Sequence, residues 1–175
     1  MHKNLILLRH GLAGDREEFR QEVGLSDDLR PLTVEGRKDL KKTLSRYQKF
    51  LPEIEAVFTS PLLRAVQTAE IAYKILDCPQ PEIRDFLKPF VSPQNSLSAL
   101  LEHSNWTTAM IVGHEPHLSR LLSYTLTGAE KNVCQIKKGG LAWIELSVTK
   151  NKLREVKIKC LLQPSQTKKI IKKDS

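Results

Sequence analysis

A chain of 175 residues with 28 Lys+Arg against 20 Asp+Glu, 40% hydrophobic and 27% charged, has the make-up of a soluble globular domain. It is long enough to bury about 70% of its extended surface and too short for two full domains. The longest early apolar run, Leu5 to Leu8, excludes a membrane span or a signal-peptide core at that end, so a cytoplasmic protein with no membrane partner is expected.

Asn4 to Leu8 is apolar throughout and bounded by polar residues, which predicts a strand buried on both faces and central in a parallel sheet. A helix is expected from near Thr33, in a Thr-x-x-Gly start that lacks the Glu of a capping box, to about Phe50, where Pro52 follows. Glu55 to Thr59 and Thr107 to Val112 share the character of the first strand. Each runs straight into a helix-start pattern: Ser60-Pro61, read as an N-cap and a first-turn proline, and Glu115-Pro116 after Gly113-His114.

The helix after Pro61 carries Leu62, Ala65, Val66, Ala69, Ala72, Ile75 and Leu76 on one stripe. Pro79, Pro81, Pro89 and Pro93 predict mostly loop over 77–95, then a short helix from Asn95 to His103 and a longer one over 116–126. Leu141 to Val148 and Leu153 to Leu162, joined by Lys150-Asn151-Lys152, predict an antiparallel hairpin. The fold class that follows is an α/β three-layer sandwich with a mostly parallel mixed central sheet, helices on both faces and the C-terminal hairpin at the edge. Residues 1–162 form one domain in this reading. Gln163 to Ser175, Lys-rich and unpunctuated, is expected to be a basic, flexible tail.

Residues 131–175 hold a net charge of +9 and residues 1–130 one of −1, so the first three quarters act without a general basic field. Nucleic acid is not expected as a partner. Cys78, Cys134 and Cys160 have no C-x-x-C spacing and read as small buried hydrophobes, which excludes a disulfide framework. Trp106 and Trp143 read as packing residues, and His2 and His103 as surface residues.

The chemistry-bearing residues lie at strand ends. Arg9-His10-Gly11 closes the first strand, Arg64 falls in the first turn of the helix after Ser60-Pro61, and Gly113-His114 ends another strand. In an open α/β sheet, ligands bind beyond the carboxyl ends of the strands. If these three strands are parallel, two arginines and two histidines converge there. Buried cations need a compensating anion, and arginine's planar fork matches phosphoryl oxygens. No carboxylate or cysteine completes a metal set around His114 and His117, so neither metal nor cofactor is called for.

Arg9-His10-Gly11, Leu32-Thr33-x-x-Gly36, Ser60-Pro61-x-x-Arg64-Ala65-x-Gln67-Thr68-Ala69 and Val112-Gly113-His114 resemble, in order, the signature blocks of the histidine phosphatase superfamily, with its phosphoglycerate mutase-like fold. The short chain and the Arg30-Pro31-Leu32-Thr33 approach are most similar to the small SixA-type phosphohistidine phosphatases. The resemblance implies that His10 is a nucleophile forming a phosphohistidine intermediate. Arg9, His10, Arg64 and His114 would bind the phosphoryl group, and a phosphorylated histidine phosphotransfer domain would be the partner. Glu115 stands where the acid phosphatase branch keeps a proton donor, and a helix N-terminal charge is its other reading. Leu12-Ala13-Gly14-Asp15 differs from the serine or threonine and asparagine of the mutase relatives, and residues 84–96 lack their glutamate.

Only 49 residues separate Arg64 from His114, which leaves little chain for a lid. Expelling an imidazole also makes less demand on an acid than expelling an alkoxide. A metal-independent phosphohistidine phosphatase acting on a protein is therefore expected. The alternatives are a broad small-molecule phosphomonoesterase of the same superfamily and a non-catalytic phosphate- or nucleic-acid-binding module that uses the basic C-terminal region. Lys137 and Lys138 are placed to add positive potential near the pocket, or to be solvated.

Overall fold

The computed structural model describes residues 1–102, 105–131 and 133–170, without the side chains of 168–170. Six strands form one sheet: β1 (His2–Arg9), β2 (Ala56–Thr59), β3 (Glu82–Ile83), β4 (Thr108–Gly113), β5 (Leu141–Thr149) and β6 (Lys152–Leu162). Their order is β3-β2-β4-β1-β5-β6, with the first four parallel, β5 antiparallel to β1, and β6 antiparallel to β5. β1 is therefore flanked on both sides, as its apolar run predicts.

Six helices are described: α1 (Arg16–Val23), α2 (Val34–Tyr47), α3 (Leu63–Leu76), α4 (Pro93–Glu102), α5 (His117–Thr127) and α6 (Pro164–Ile170). The period-2 alternation of β1 feeds two cores. Ile6 and Leu8 pack with Leu40, Leu44 and Tyr47 of α2 and with Ala65, Ala69 and Ala72 of α3. Leu5 and Leu7 face Leu97 and Leu100 of α4 and Leu118, Leu121 and Leu122 of α5. This is the expected three-layer α/β sandwich, and the hairpin ends it at the β6 edge. Lys150 and Asn151 turn that hairpin with φ of 49° and 56°, the left-handed pair a two-residue loop requires.

The structure differs from expectation at several elements. Ser60 is not the N-cap of α3: the helix starts at Leu63, its cap is Leu62 without a side-chain bond, and the Ser60 hydroxyl is used elsewhere. α1 was unexpected because it buries no residue, so it has no apolar stripe. It is set by Asp15, whose side chain accepts from the Glu17 and Glu18 N–H groups, and by Gly24 in the left-handed conformation. The first part of the expected basic tail is helical: α6 runs from Pro164 to Ile170, and Thr167 is 2% exposed. Residues 171–175 and His103 lie outside the described residues. Cys78, Cys134 and Cys160 are free. Trp106 is buried, and the Trp143 Nε1–H donates to Asn4 Oδ1. No helix among the described residues is long and apolar enough to cross a membrane.

Two motif positions have plain structural reasons. Thr33 caps α2 by accepting from the Gly36 N–H at 2.9 Å, while its own N–H donates to the Leu12 carbonyl at 3.0 Å. A Cβ at Gly36 would stand 2.1 Å from that Leu12 oxygen, so only glycine lets the start of α2 close on the chain leaving His10. Thr68 on α3 accepts from the Gly11 N–H at 3.1 Å and donates to the Arg64 carbonyl at 2.7 Å.

Candidate active site

The parallel register places the reactive groups side by side. Arg9 pairs with Gly113, and the His10 N–H donates to the Gly113 carbonyl at 3.1 Å. The Ser60 N–H donates to Val112 at 3.0 Å, which carries the start of α3 to the same edge. His10 and His114 come together with ring centroids 5.1 Å apart and planes tilted by 53°. These two rings, with Arg9, Arg64 and Glu115, line one cleft of about 670 Å³, so all five residues singled out from the sequence share it.

His10 is 5% exposed and its Nδ1 lies 2.7 Å from the Gly11 carbonyl. A carbonyl only accepts, so Nδ1 carries the proton and Nε2 keeps its lone pair. Burial pushes the imidazole pKa down to about 3; it outweighs the upward pull of the Gly11 carbonyl and is helped by the lesser effects of the Arg64, Arg9 and Lys138 charges. The ring is neutral across the physiological range, with a nucleophilic nitrogen beside cations. His114, 2% exposed, sets Nε2 at 2.8 Å from the Ser60 hydroxyl. Its Nδ1 is buried without a protein partner. Burial and the neighbouring His10 and Arg64 push its pKa down to about 2.

Both arginines are anchored through part of the fork and leave the rest open. Arg9 Nη1 donates to the Ile136 carbonyl at 2.8 Å, and its Nε is buried and unpartnered. Arg64 donates from Nη1 to the Asp27 carbonyl at 2.8 Å and from Nη2 to Asp27 Oδ2 at 3.2 Å, and its Nε also has no partner. Burial lowers both guanidinium pKa values, and Asp27 pulls that of Arg64 back up. Unpaired buried N–H groups on one half-buried and one buried arginine form a site that calls for oxyanion oxygens.

Glu115 belongs to the cleft wall, and its Oε1 accepts from the Ser119 hydroxyl at 2.7 Å and the Ile136 N–H at 3.2 Å. It thereby holds, through the N–H, the same residue whose carbonyl accepts from Arg9. His117 faces away into the core, bonded through Nε2 to Ser96 Oγ at 2.9 Å. Among the described residues no group of three or more His, Cys, Asp or Glu is arranged to hold a metal ion.

Several cleft residues carried no signal that singled them out. Asp27 touches three arginines from a loop that reads as an ordinary solvated stretch. Ser60, in the motif, reads as a cap and instead bonds His114. Phe90, 95% exposed, stands at the mouth with Lys88 and Arg120. Of the two lysines placed near the pocket by the sequence, Lys138 lines the cleft with His10 and Lys137 is not among the residues that line it.

A mixed sheet whose parallel strand ends and one helix start present a neutral histidine, a second histidine and two half-satisfied arginines defines an oxyanion-binding, histidine-centred α/β protein. Residues 5–88 match the histidine phosphatase superfamily (branch 1). An uncharacterised protein of Picosynechococcus sp. is 34% identical over 143 residues, covering 78% of this chain and 81% of the relative. The chain belongs to the histidine phosphatase superfamily. Its fold is similar to that of the protein histidine phosphatase SixA complexed with tungstate, with a TM-score of 0.78, 23% identity and coverage of 93% of this chain and 98% of that one. It is also similar to a mycobacterial glucosyl-3-phosphoglycerate phosphatase, with a TM-score of 0.70, 13% identity and coverage of 91% and 98%. The fold is thus shared by phosphatases named for protein and for small-molecule substrates.

Proposed function

We propose that the protein is a metal-independent, cytoplasmic phosphohistidine phosphatase acting on a phosphorylated protein of the phosphorelay type, through a covalent intermediate on His10. The observation that carries the chemistry is the Nδ1 contact of His10 with the Gly11 carbonyl, which leaves Nε2 unprotonated between two arginines. A module that only held phosphate or nucleic acid would gain more from a charged side chain there than from a neutral ring.

In the first step His10 Nε2 forms a bond to phosphorus while the bond from phosphorus to the substrate imidazole breaks, and that imidazole takes a proton from solvent. In the second, water attacks the phosphorus, its proton leaves, and the electron pair of the Nε2–P bond returns to His10 with release of inorganic phosphate. Charge in the loose transition state is spread over three oxygens, so fixed donors from Arg9, Arg64 and His114 supply most of the stabilisation. This role for His114 requires the tautomer in which the Ser60 hydroxyl donates to Nε2 and the proton sits on Nδ1, the nitrogen without a partner.

A protein substrate is supported by the mouth of the cleft. The segment between Arg64 and His114 is spent on α3, β3, a short 3-10 turn, α4 and β4, and among the cleft-lining residues it leaves only Lys88-Pro89-Phe90 over the site. An exposed aromatic ring among Lys88 and Arg120 suits the surface around a phosphohistidine better than a solvated sugar phosphate.

The test offers purified protein a phosphohistidine-bearing protein and a series of phosphate monoesters side by side, with chelator present. Preferential release of phosphate from the protein is expected, with an acid-labile, alkali-stable label on His10 that His10→Ala abolishes. Preference for a monoester would assign the small-molecule reading, and full activity of His10→Ala would end the nucleophile assignment.

A further inference from the structure

Arg64 is 5% exposed, and a buried guanidinium is tolerated only with a counter-ion and filled donors. Both come from one residue. Nη1 donates to the Asp27 carbonyl oxygen and Nη2 to the Asp27 carboxylate, so the edge of the fork made by the two terminal nitrogens is occupied. The adjacent edge, made by Nε–H and the second hydrogen of Nη2, remains, and Nε is buried with no partner. Two parallel N–H groups on one edge form the bidentate seat that phosphoryl oxygens take.

Asp27 is itself held fast. Its Oδ1 accepts from Arg30 Nε at 2.7 Å and its Oδ2 from Arg16 Nη2 at 3.0 Å, while Arg30 Nη1 is tied to the Gly14 carbonyl at 2.6 Å. We propose that Asp27 is a positioning residue: it grips the outer edge of Arg64 and presents the Nε–Nη2 edge to the phosphoryl group. The inference rests on the phosphoryl-transfer reading and adds to it a residue that this reading does not use.

Two other roles for a carboxylate in this place conflict with the geometry. A proton donor must be protonated, but Asp27 is held ionised: burial would raise its pKa, and the bonds from Arg16 and Arg30 and the charge of Arg64 outweigh it, keeping the carboxyl well below the usual range. An occluder that the substrate displaces would sit on the Nε edge. Asp27 sits on the other edge, and its main-chain carbonyl cannot leave without unmaking the short 3-10 turn Asp27–Leu29.

The test compares wild type, Asp27→Asn and Asp27→Ala with an aryl phosphate and an alkyl phosphate as substrates, inorganic phosphate as competing product, and a thermal melt of each. For Asp27→Ala, kcat should fall roughly 10–10²-fold, a smaller loss than removing the arginine itself. KM and the phosphate inhibition constant should stay within about threefold, because the cleft gains positive charge as Arg64 loses its orientation. Asp27→Asn, nearly isosteric and still able to accept one arginine bond, should recover at least threefold in kcat over the alanine variant. It keeps the question open to measurement should the alanine variant misfold.

A rise in kcat/KM would show an occluder. A loss confined to poor leaving groups would show an acid. An unchanged kcat with only a lower melting temperature would show a loop-folding role. Each of these overturns the proposal. If wild type released phosphate from no ester and no phosphohistidine, the phosphoryl-transfer reading would fail first and the inference with it.

Discussion

Losing Arg9 and losing Arg64 remove the same chemical group from two differently built supports. Arg9 leaves behind a free Ile136 carbonyl, whereas Arg64 leaves Asp27 with two remaining arginines, which keep it paired. Each Ala variant should lose about 10²–10³ in kcat, the usual effect of deleting one charge-assisted donor to a developing oxyanion. Lys168→Ala with Lys169→Ala should stay within about twofold, and a larger effect would move weight to the basic C-terminal region. Glu115 separates two roles. Its Oε1 already accepts two hydrogen bonds, and glutamine keeps that acceptor, so Glu115→Gln should cost less than tenfold and equally for alkyl phosphates, aryl phosphates and phosphohistidine. A loss of roughly 10² restricted to alkyl phosphates would instead assign the proton donor.

At the scale of elements, the approach of α2 to the chain after His10 is the tightest joint near the site. Gly36→Ala would gain up to ~1 kcal/mol of helix propensity, but its Cβ would meet the Leu12 carbonyl oxygen, which is backbone and cannot rotate away. Overpacking of this kind costs about 1–3 kcal/mol, so the clash wins and the urea midpoint should fall. Activity should fall with it, because Leu12 lies two residues from the nucleophile. Legibility at this scale followed packing. α2, α3 and α5 bury apolar stripes and show in the sequence. α1 buries nothing, and the two-residue β3 has no run long enough to carry a period.

For the whole molecule, three buried imidazoles couple folding to pH. Burial pushes His10 to about 3, His114 to about 2 and His117 to about 4, from 6.5 for the free side chain. Between 6.5 and these values the unfolded chain binds protons that the folded chain does not, so stability rises with pH across this window and is lost as pH falls through it. Denaturation midpoints at pH 7.5, 6 and 5 should fall in that order, and His117→Gln should flatten the slope. A midpoint that is flat down to pH 4.5 would contradict burial of the neutral rings. Correspondingly, kcat/KM should show no enzyme ionisation near 6.5, because His10 is already neutral there.

The sequence by itself determined the layers and the reacting groups. The two-sided apolar run of β1 required helices on both faces, and Arg9, His10, Arg64 and His114 were readable because strand ends and a helix first turn are local features. The hairpin was equally local. Asp27, the Ser60 hydroxyl and Phe90 were decided only by the tertiary structure. Nothing in Ser26-Asp27-Asp28 distinguishes a solvated turn from the counter-ion of a buried arginine 37 positions away. That pairing exists because chain closure brings the loop after α1 over the start of α3, and no spacing rule encodes a contact made by two elements that meet only in the folded chain.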